Sequence, residues 1–468
     1  MSDTATSRPE EPQRLLSGDL RRTVLWLALP ALAEQFLNFC VGLFDTFLAG
    51  RASHSGLEVG LATSAVGISA YMSWLASLLF ALVGTGTTAL VSRSWGQGEH
   101  AQANRFANCS LTLAGGLGVL IFCLLYGLAP WYARMQNMHG ESYDIVVNYL
   151  RTDAIGELFY GFCLIGAAAL RGTGDMRTPM VVLGLVNILN IIVSSVLTFG
   201  YGPIEPWGLR GIVGGTVVAR ICGGLMILWL LASGISNLKL RLSELVPHKI
   251  DVMRILRIGA PAGVDGALMW FGQSIFLMII ARLQDADLGK ANMAAHMIGI
   301  EVEAFTYLPA VAWSYAAATV IGQNLGANEP ERARRAGHIA VLQCSVIAII
   351  GAAVYLFGAP LIYHAMTTEP AVWSVGIPAM RVLALYQIPL VLLIVYLGAM
   401  RGAGDTFSPL VINLSGVFLI RIPLGYLFGI VLQGGLIGAW SAMVVDVSLR
   451  ALITWIRYRQ GRWAQVKV

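Results

Sequence analysis

The sequence predicts an all-α polytopic membrane protein of twelve transmembrane helices, built as two six-helix lobes that form a parallel internal repeat. Three observations predict it. The 468 residues are 56% hydrophobic and only 12% charged, against about 25% charged in soluble domains. Twelve apolar runs reach the length of about 20 residues that a helix needs to cross a bilayer. Finally, Leu170-Arg171-Gly172-Thr173-Gly174-Asp175 returns 230 residues later as Met400-Arg401-Gly402-Ala403-Gly404-Asp405.

The offset recurs along the chain. Gly96 pairs with Gly326 and Arg105 with Arg335 at 230, Pro30 with Pro261 at 231, and Gly208 with Gly435 at 227. One drifting offset over many landmarks marks a duplicated unit of roughly two hundred residues.

The expected spans are 24–48, 57–90, 106–128, 143–169, 179–200, 208–232, 258–281, 291–320, 337–358, 374–399, 409–429 and 434–456. All are expected as helices, because lipid offers no partner to open backbone groups. The polar first 22 residues lead into no short apolar region with a small-residue cleavage site, so no cleaved signal peptide is expected. The chain divides into a cytoplasmic tail (1–22), an N-lobe (23–232), a polar cytoplasmic linker (233–257), a C-lobe (258–456) and a second cytoplasmic tail (457–468). Six spans per lobe is an even number, so the halves repeat in parallel, with a mid-membrane cavity between them as the default ligand site.

Lys and Arg set the orientation. With the N-terminus inside, the inner segments hold 21 of these residues, including Arg8, Arg14, Arg171, Arg401 and Lys467, and the outer segments hold five. That is a positive-inside bias. Both R-G-x-G-D turns are then cytoplasmic. In them Gly172, Gly174, Gly402 and Gly404 permit unusual backbone angles, Pro179 and Pro409 fit the first turn of the next helix, and Asp175 and Asp405 are placed to cap it. They read as gate or hinge, or simply as tight loops.

The six cysteines lie in apolar runs without paired spacing and read as small packed residues. The basic residues are scattered, which argues against nucleic acid. No cluster has nucleophile–base or metal-ligand spacing, so neither enzyme chemistry, a cofactor nor a structural metal is expected.

Ionisable residues inside the bilayer are costly and functional by default. The first span holds Glu34 and Asp45, the seventh Asp265, the eighth Glu301, Glu303 and His296, and the twelfth Asp446; Arg220, Arg381 and Arg421 are the interior cations. Asn190 and Ser194 share a face of the fifth span, Thr216 lies on the sixth, and Asp45 late in the first. All four are expected to meet in the outer half of the N-lobe as a cation or proton site, or as polar glue between helices. Glu34 and Asp265 each follow a proline by one turn, where a freed carbonyl favours a protonated acid. Arg421 and Asp446 are expected to pair. Trp74, Met269, Trp270, Phe305 and Trp313, with Glu301, are candidates to line the cavity and receive flat cations.

Asp45-Thr46-Phe47-Leu48-Ala49-Gly50-Arg51, the first R-G-x-G-D turn, Asn187-Ile-Leu-Asn190 and Gly322-Gln323-Asn324-Leu325-Gly326-Ala327 together resemble the multidrug and toxic compound extrusion (MATE) family over nearly the whole chain. The resemblance implies two six-helix lobes in a V, and export of organic cations driven by inward H+ or Na+. It implies a coupling role for the first-span acid, Asp45, with Asn190 and Thr216 matching its companions. Many members carry an aspartate where this chain has Ser194. Two C-lobe acids of the family fall at Leu390 and Met269, so that site is absent, with Asp265 one turn away as a substitute.

The expectation is therefore an antiporter exporting amphiphilic, cationic drugs or toxic compounds for H+, or for Na+. It acts as a monomer in the cytoplasmic membrane with both termini inside, and its partners are lipid and small organic substrates. The rivals are a flippase of lipid-linked precursors, which needs a strongly basic cavity, and a channel or receptor.

Overall fold

The computed structural model describes residues 16, 18–52, 59–135, 138–283 and 286–466. Arg8, Arg14 and Lys467 of the inward charge set, and the start of the expected second span, lie outside them. The described chain is helical: α1 Leu20–Ala52, α2 Val59–Gly96, α3 His100–Met135, α4 Glu141–Gly172, α5 Arg177–Phe199, α6 Leu209–Ser233, α7 Lys249–Ala281, α8 Ala286–Gly326 and α9 Pro330–Met366. There follow α10 Pro370–Ala384, α11 Gln387–Gly402, α12 Phe407–Val431 and α13 Gly435–Arg459. Among the described residues the β-type pairing is one isolated bridge, Tyr201–Ile204.

Eleven of these helices are long and apolar enough to cross a membrane. The twelfth expected span is broken: α10 and α11 meet at 55°. Pro389 stands just past the break, and a proline disfavours helical geometry in the residue before it and removes a donor. Helix α12 carries π-helical turns at Val417–Arg421 and Leu427–Val431, on either side of Pro423; such bulges re-seat the ladder where a helix is interrupted.

The chain forms two compact units. One comprises Ala33–Ala260; the other comprises the described residues up to Leu32 together with Pro261–Val468. The divisions fall inside α1 and α7, next to Pro30 and at Pro261. Among the eleven membrane-length helices, the most apolar stretches of α4 and α8 are the most enclosed, each about two thirds buried.

Both R-G-x-G-D turns close their helices in the same way. Asp175 N–H reaches back to Leu170 O at 3.2 Å and Asp405 N–H to Met400 O at 3.0 Å. Gly174 and Gly404 take φ of 94° and 92°, the left-handed closure that glycine makes without penalty. Asp175 Oδ1 then accepts the N–H groups of Arg177 and Thr178, and Asp405 Oδ1 that of Ser408. The expected caps are present, and Pro179 and Pro409 lie in the first turns they begin.

The linker is not a loose tether. Asn104, Asn108 and Thr112, four apart on one face of α3, hold it: Asn104 Oδ1 accepts Lys239 N–H at 2.6 Å, Asn108 Oδ1 accepts Arg241 N–H, and Thr112 Oγ1 donates to Leu245 O. Both asparagines also donate to Glu244 Oε2 at 3.0 Å. Three cysteines, Cys109, Cys163 and Cys344, are buried as expected, whereas Cys40, Cys123 and Cys222 are exposed. All six stand in helices whose outer faces are apolar, where a thiol is tolerated on either side.

Candidate functional site

The described residues hold two polar clusters inside apolar helices, one in each unit. In the first unit α5 and α6 approach closely. A Cβ on Gly215 would fall 2.1 Å from Ser194 Oγ, so only glycine allows the contact. Across it Asn190 Nδ2 donates to Thr216 Oγ1 at 3.2 Å and Ser194 Oγ donates to Asn190 Oδ1 at 3.2 Å. Thr216 also donates to Ile212 O at 3.1 Å, and Ser194 Oγ stands 3.2 Å from the same oxygen, a second acceptor for its one proton. These three residues therefore satisfy one another.

Asp45 does not join them through a hydrogen bond. Its Oδ1 is buried without a donor, and its charged neighbours are Arg220 and Asp153. The expected four-residue meeting is thus two adjoining groups, a neutral hydrogen-bonded trio and an ionic cluster. Tyr149, a neighbour of both Asp45 and Asp153, stands within the ionic group.

That ionic cluster went unread in the sequence. Asp153 and Glu157 lie one turn apart on α4, and Arg220 reaches both from α6, with Nη1 at 3.0 Å from Asp153 Oδ1 and 2.9 Å from Glu157 Oε1. Gly156 makes room for it; a Cβ there would sit 3.0 Å from Arg220 Cδ. From α2, Ser69 and Ser73 donate to Asp153 Oδ2 at 3.1 and 2.7 Å. The signal available in the sequence was two acids four apart inside an apolar run, with an interior arginine two spans later.

Glu34 and Asp265 have partners that the duplicated motif supplies. Arg171 is bonded to Glu34, and Arg401 Nη2 donates to Asp265 Oδ2 at 2.6 Å. Asn413 Nδ2 donates to both Asp265 oxygens at 3.0 Å. In the second unit the network continues. Arg450 Nη1 donates to Asn413 Oδ1 at 3.0 Å and grips Asp446 with Nε and Nη2 at 2.8 and 2.6 Å. Arg421 Nε meets Asp446 at 2.8 Å, the pairing expected from the sequence. Six side chains from α7, α11, α12 and α13 are thereby joined.

The cavity candidates separate. Trp74 and Phe305 are exposed, Met269 and Trp270 half-buried. Trp313 is 3% exposed and its Nε1 donates to Gln343, so it packs in its own unit and presents no face to a substrate. The eighth-span acids point apart, as their spacing requires: Glu301 is exposed, whereas Glu303 accepts the Tyr386 hydroxyl at the break of α10 and α11. His296 is buried, with Trp440 Nε1 donating to its Nδ1 at 3.1 Å, an interior histidine engaged in packing.

A repeat of membrane-length helices carrying buried ionic clusters is the architecture of a polytopic membrane transporter. The MatE family model matches residues 30–196 and 261–427, the two halves of the repeat, and the chain belongs to that family. It is 28% identical over 450 residues to the "Probable multidrug resistance protein NorM" of Thermotoga maritima, covering 95% of this chain and 93% of the relative. It is 26% identical over 432 residues to an "FAD transporter" of Shewanella oneidensis, covering 88% and 89%. Its fold is similar to that of a multidrug resistance MATE family transporter of the MOP superfamily, itself solved in an outward-facing conformation, with TM-score 0.88 over 96% of this chain and 97% of that one, at 21% identity.

Proposed function

We propose that this chain is a secondary active antiporter that exports amphiphilic, cationic compounds in exchange for H+ by alternating access. The observation that carries the reading is Asp45, a carboxylate whose Oδ1 is buried without a donor while the nearby Arg220 already serves two other acids. A half-buried acid with one oxygen shut off from donors is satisfied by a proton or a cation. Protonated, it is neutral and tolerates a dry state; deprotonated, it attracts an organic cation, so one group serves both ligands in turn. Ser194 bonds only to neutral partners, and a site with fewer formal charges binds a metal cation less well, which favours H+ over Na+. The multidrug names of relatives support drug export as the activity, and the cationic charge of the cargo is our inference from Asp45. Met269, Trp270 and Phe305, with Glu301, are the side chains of the second unit that we assign to substrate, and Trp74 is that of the first, each through cation–π or sulfur contacts. The basic bias places the termini and both R-G-x-G-D turns on the cytoplasmic side of the cytoplasmic membrane.

The flippase reading needs interior cations free to hold pyrophosphate; here Arg220 and Arg421 are each committed to carboxylates, and Arg381, expected in the interior, is exposed. The test is uptake of ethidium into proteoliposomes under separately imposed pH and Na+ gradients. Uptake should follow the pH gradient and vanish in Asp45→Asn. Uptake that followed only the Na+ gradient would overturn the choice of ion, and gradient-driven uptake surviving in Asp45→Asn would overturn the role of Asp45.

A further inference from the structure

The cluster beside Asp45 holds more negative charge than its cation can neutralise. Asp153 and Glu157 share the guanidinium of Arg220, and Asp45 lies near enough to feel the charge of Arg220 and of Asp153. Fully ionised, the group carries two uncompensated negative charges. Glu157 is 16 residues into the 32-residue α4, and Arg220 is 11 residues into the 25-residue α6; both stand near the middle of helices that cross the membrane, where excess charge is most costly. Two protons would make the cluster neutral.

The geometry says where the second proton goes. Asp153 has its oxygens occupied by three donors, Arg220 Nη1 at Oδ1 and the Ser69 and Ser73 hydroxyls at Oδ2. Glu157 is fully buried, and among the described residues neither Oε1 nor Oε2 receives a hydrogen bond; its support is the Arg220 Nη1 contact it shares with Asp153. Ser73 also lies beside Glu157, but a hydroxyl has one proton to give, and Asp153 takes it. The groups facing Glu157 are thus Arg220 from α6, Ser73 from α2, and Asp153 from its own helix. Asp45 reaches the cluster from α1 through Arg220 and Asp153. Tyr160, one turn-face away on α4, lies under the guanidinium at 4.9 Å.

We propose that Glu157 is a second proton-carrying carboxylate of this transporter, taking up one H+ as Asp45 takes up another, so that two protons enter per cation exported. In the protonated form Arg220 is neutralised by Asp153 alone. On deprotonation the guanidinium is shared between the two acids. No bond other than O–H forms or breaks. The proposal rests on the H+-coupled reading of Asp45 and adds its stoichiometry.

The test uses the full chain in proteoliposomes clamped at zero membrane potential, with ethidium as the exported cation. Opposed pH and ethidium gradients are set until net flux stops. Each coupled proton is worth about a tenfold ethidium gradient per pH unit. Wild type should balance at about 100-fold per pH unit and Glu157→Gln at about tenfold, because the amide keeps an oxygen for Arg220 but cannot release a proton. A structural role for Glu157 would change yield or rate but not this exponent. A tenfold balance in wild type overturns the second proton and leaves Asp45 intact, and it is read without any variant. A 100-fold balance persisting in Glu157→Gln overturns the assignment to Glu157. Wild-type flux that ignores the pH gradient overturns the H+ reading on which the proposal stands.

Discussion

Arg401 donates to Asp265 at 2.6 Å, and Arg171 pairs with Glu34 at the corresponding place in the first half. In both, the arginine of an R-G-x-G-D turn binds the acid one turn after a helix proline. The two pairs are 136 and 137 residues apart in sequence, so the duplication preserved a long-range contact and not only a loop. Removing one partner of a buried pair strands the other, at a cost of about 3–5 kcal/mol. Glu34→Gln and Arg171→Met should each lower the thermal midpoint in detergent, and the double variant should recover much of the loss. Asp265 and Arg401 should show a smaller effect, since the guanidinium is 32% exposed. A double variant no better than the sum of the singles would deny the coupling.

Asp446 is the hinge of charge in the second unit, because Arg421 and Arg450 both lean on it. Asp446→Asn would leave two buried guanidinium groups against a neutral side chain, at a cost of about 3–5 kcal/mol. Folded yield measured by size-exclusion chromatography should fall sharply, and more than in Arg421→Met. Equal yields would mean that the arginines find other partners.

The site of Ser194 offers a gain-of-charge experiment. Ser194→Asp adds a carboxylate next to Asn190 and Thr216 and should raise any dependence of ethidium export on Na+, because cation affinity follows ligand charge. Export rates at fixed pH with and without Na+ check it. An unchanged ratio would show that the trio does not bind the coupling ion.

Gly402 and Gly172 occupy equivalent places but differ in what they touch. A Cβ on Gly402 would lie 2.4 Å from Ala318 Cα and O, which are backbone; one on Gly172 would lie 3.0 Å from the Val91 side chain. Overpacking costs about 1–3 kcal/mol, and a side chain yields more readily than a backbone. Gly402→Ala should therefore destabilise the protein more than Gly172→Ala in a thermal melt. The reverse order would refute the packing argument.

Topology is testable at Arg177 and Phe407, both exposed and one turn from the glycines. Cysteine at Gly174 or Gly404 is a poor probe, because their positive φ would strain any side chain. In a background lacking the six native cysteines, Arg177→Cys and Phe407→Cys should react with an impermeant maleimide only after the cells are opened. Labelling of intact cells would reverse the orientation.

The parts of the molecule fixed by short-range chemistry were legible in the sequence. Eleven spans fall on one helix each, although the helices run past the expected ends by as many as nine residues, because about 20 apolar residues in lipid leave the backbone no other choice. The aspartate caps and the Arg421–Asp446 pair followed from residue type and repeat register. What escaped was long-range or local in an unusual way. Asp153 and Glu157 were hidden by the apolar run around them. The partners of Glu34 and Asp265 were present as a repeated spacing, but no local pattern joins residues so far apart. The 55° break came from Tyr386, Gln387 and Pro389 inside a run whose hydropathy alone reads as continuous.

The linker strapped by Asn104, Asn108 and Thr112 changes where this polypeptide can be cut or spliced. By composition the whole stretch invites a protease or an inserted domain, but tolerance follows the hydrogen bonding of the backbone and not its polarity. Between Lys239 and Leu245 the backbone is pinned to α3, whereas Val246 is 78% exposed. A nick or insertion after Val246 would leave the first fragment with its polar cover fastened. One after Arg241 would tear Glu244 from both asparagines and uncover their amides, so two sites five residues apart should differ as surface and interior do.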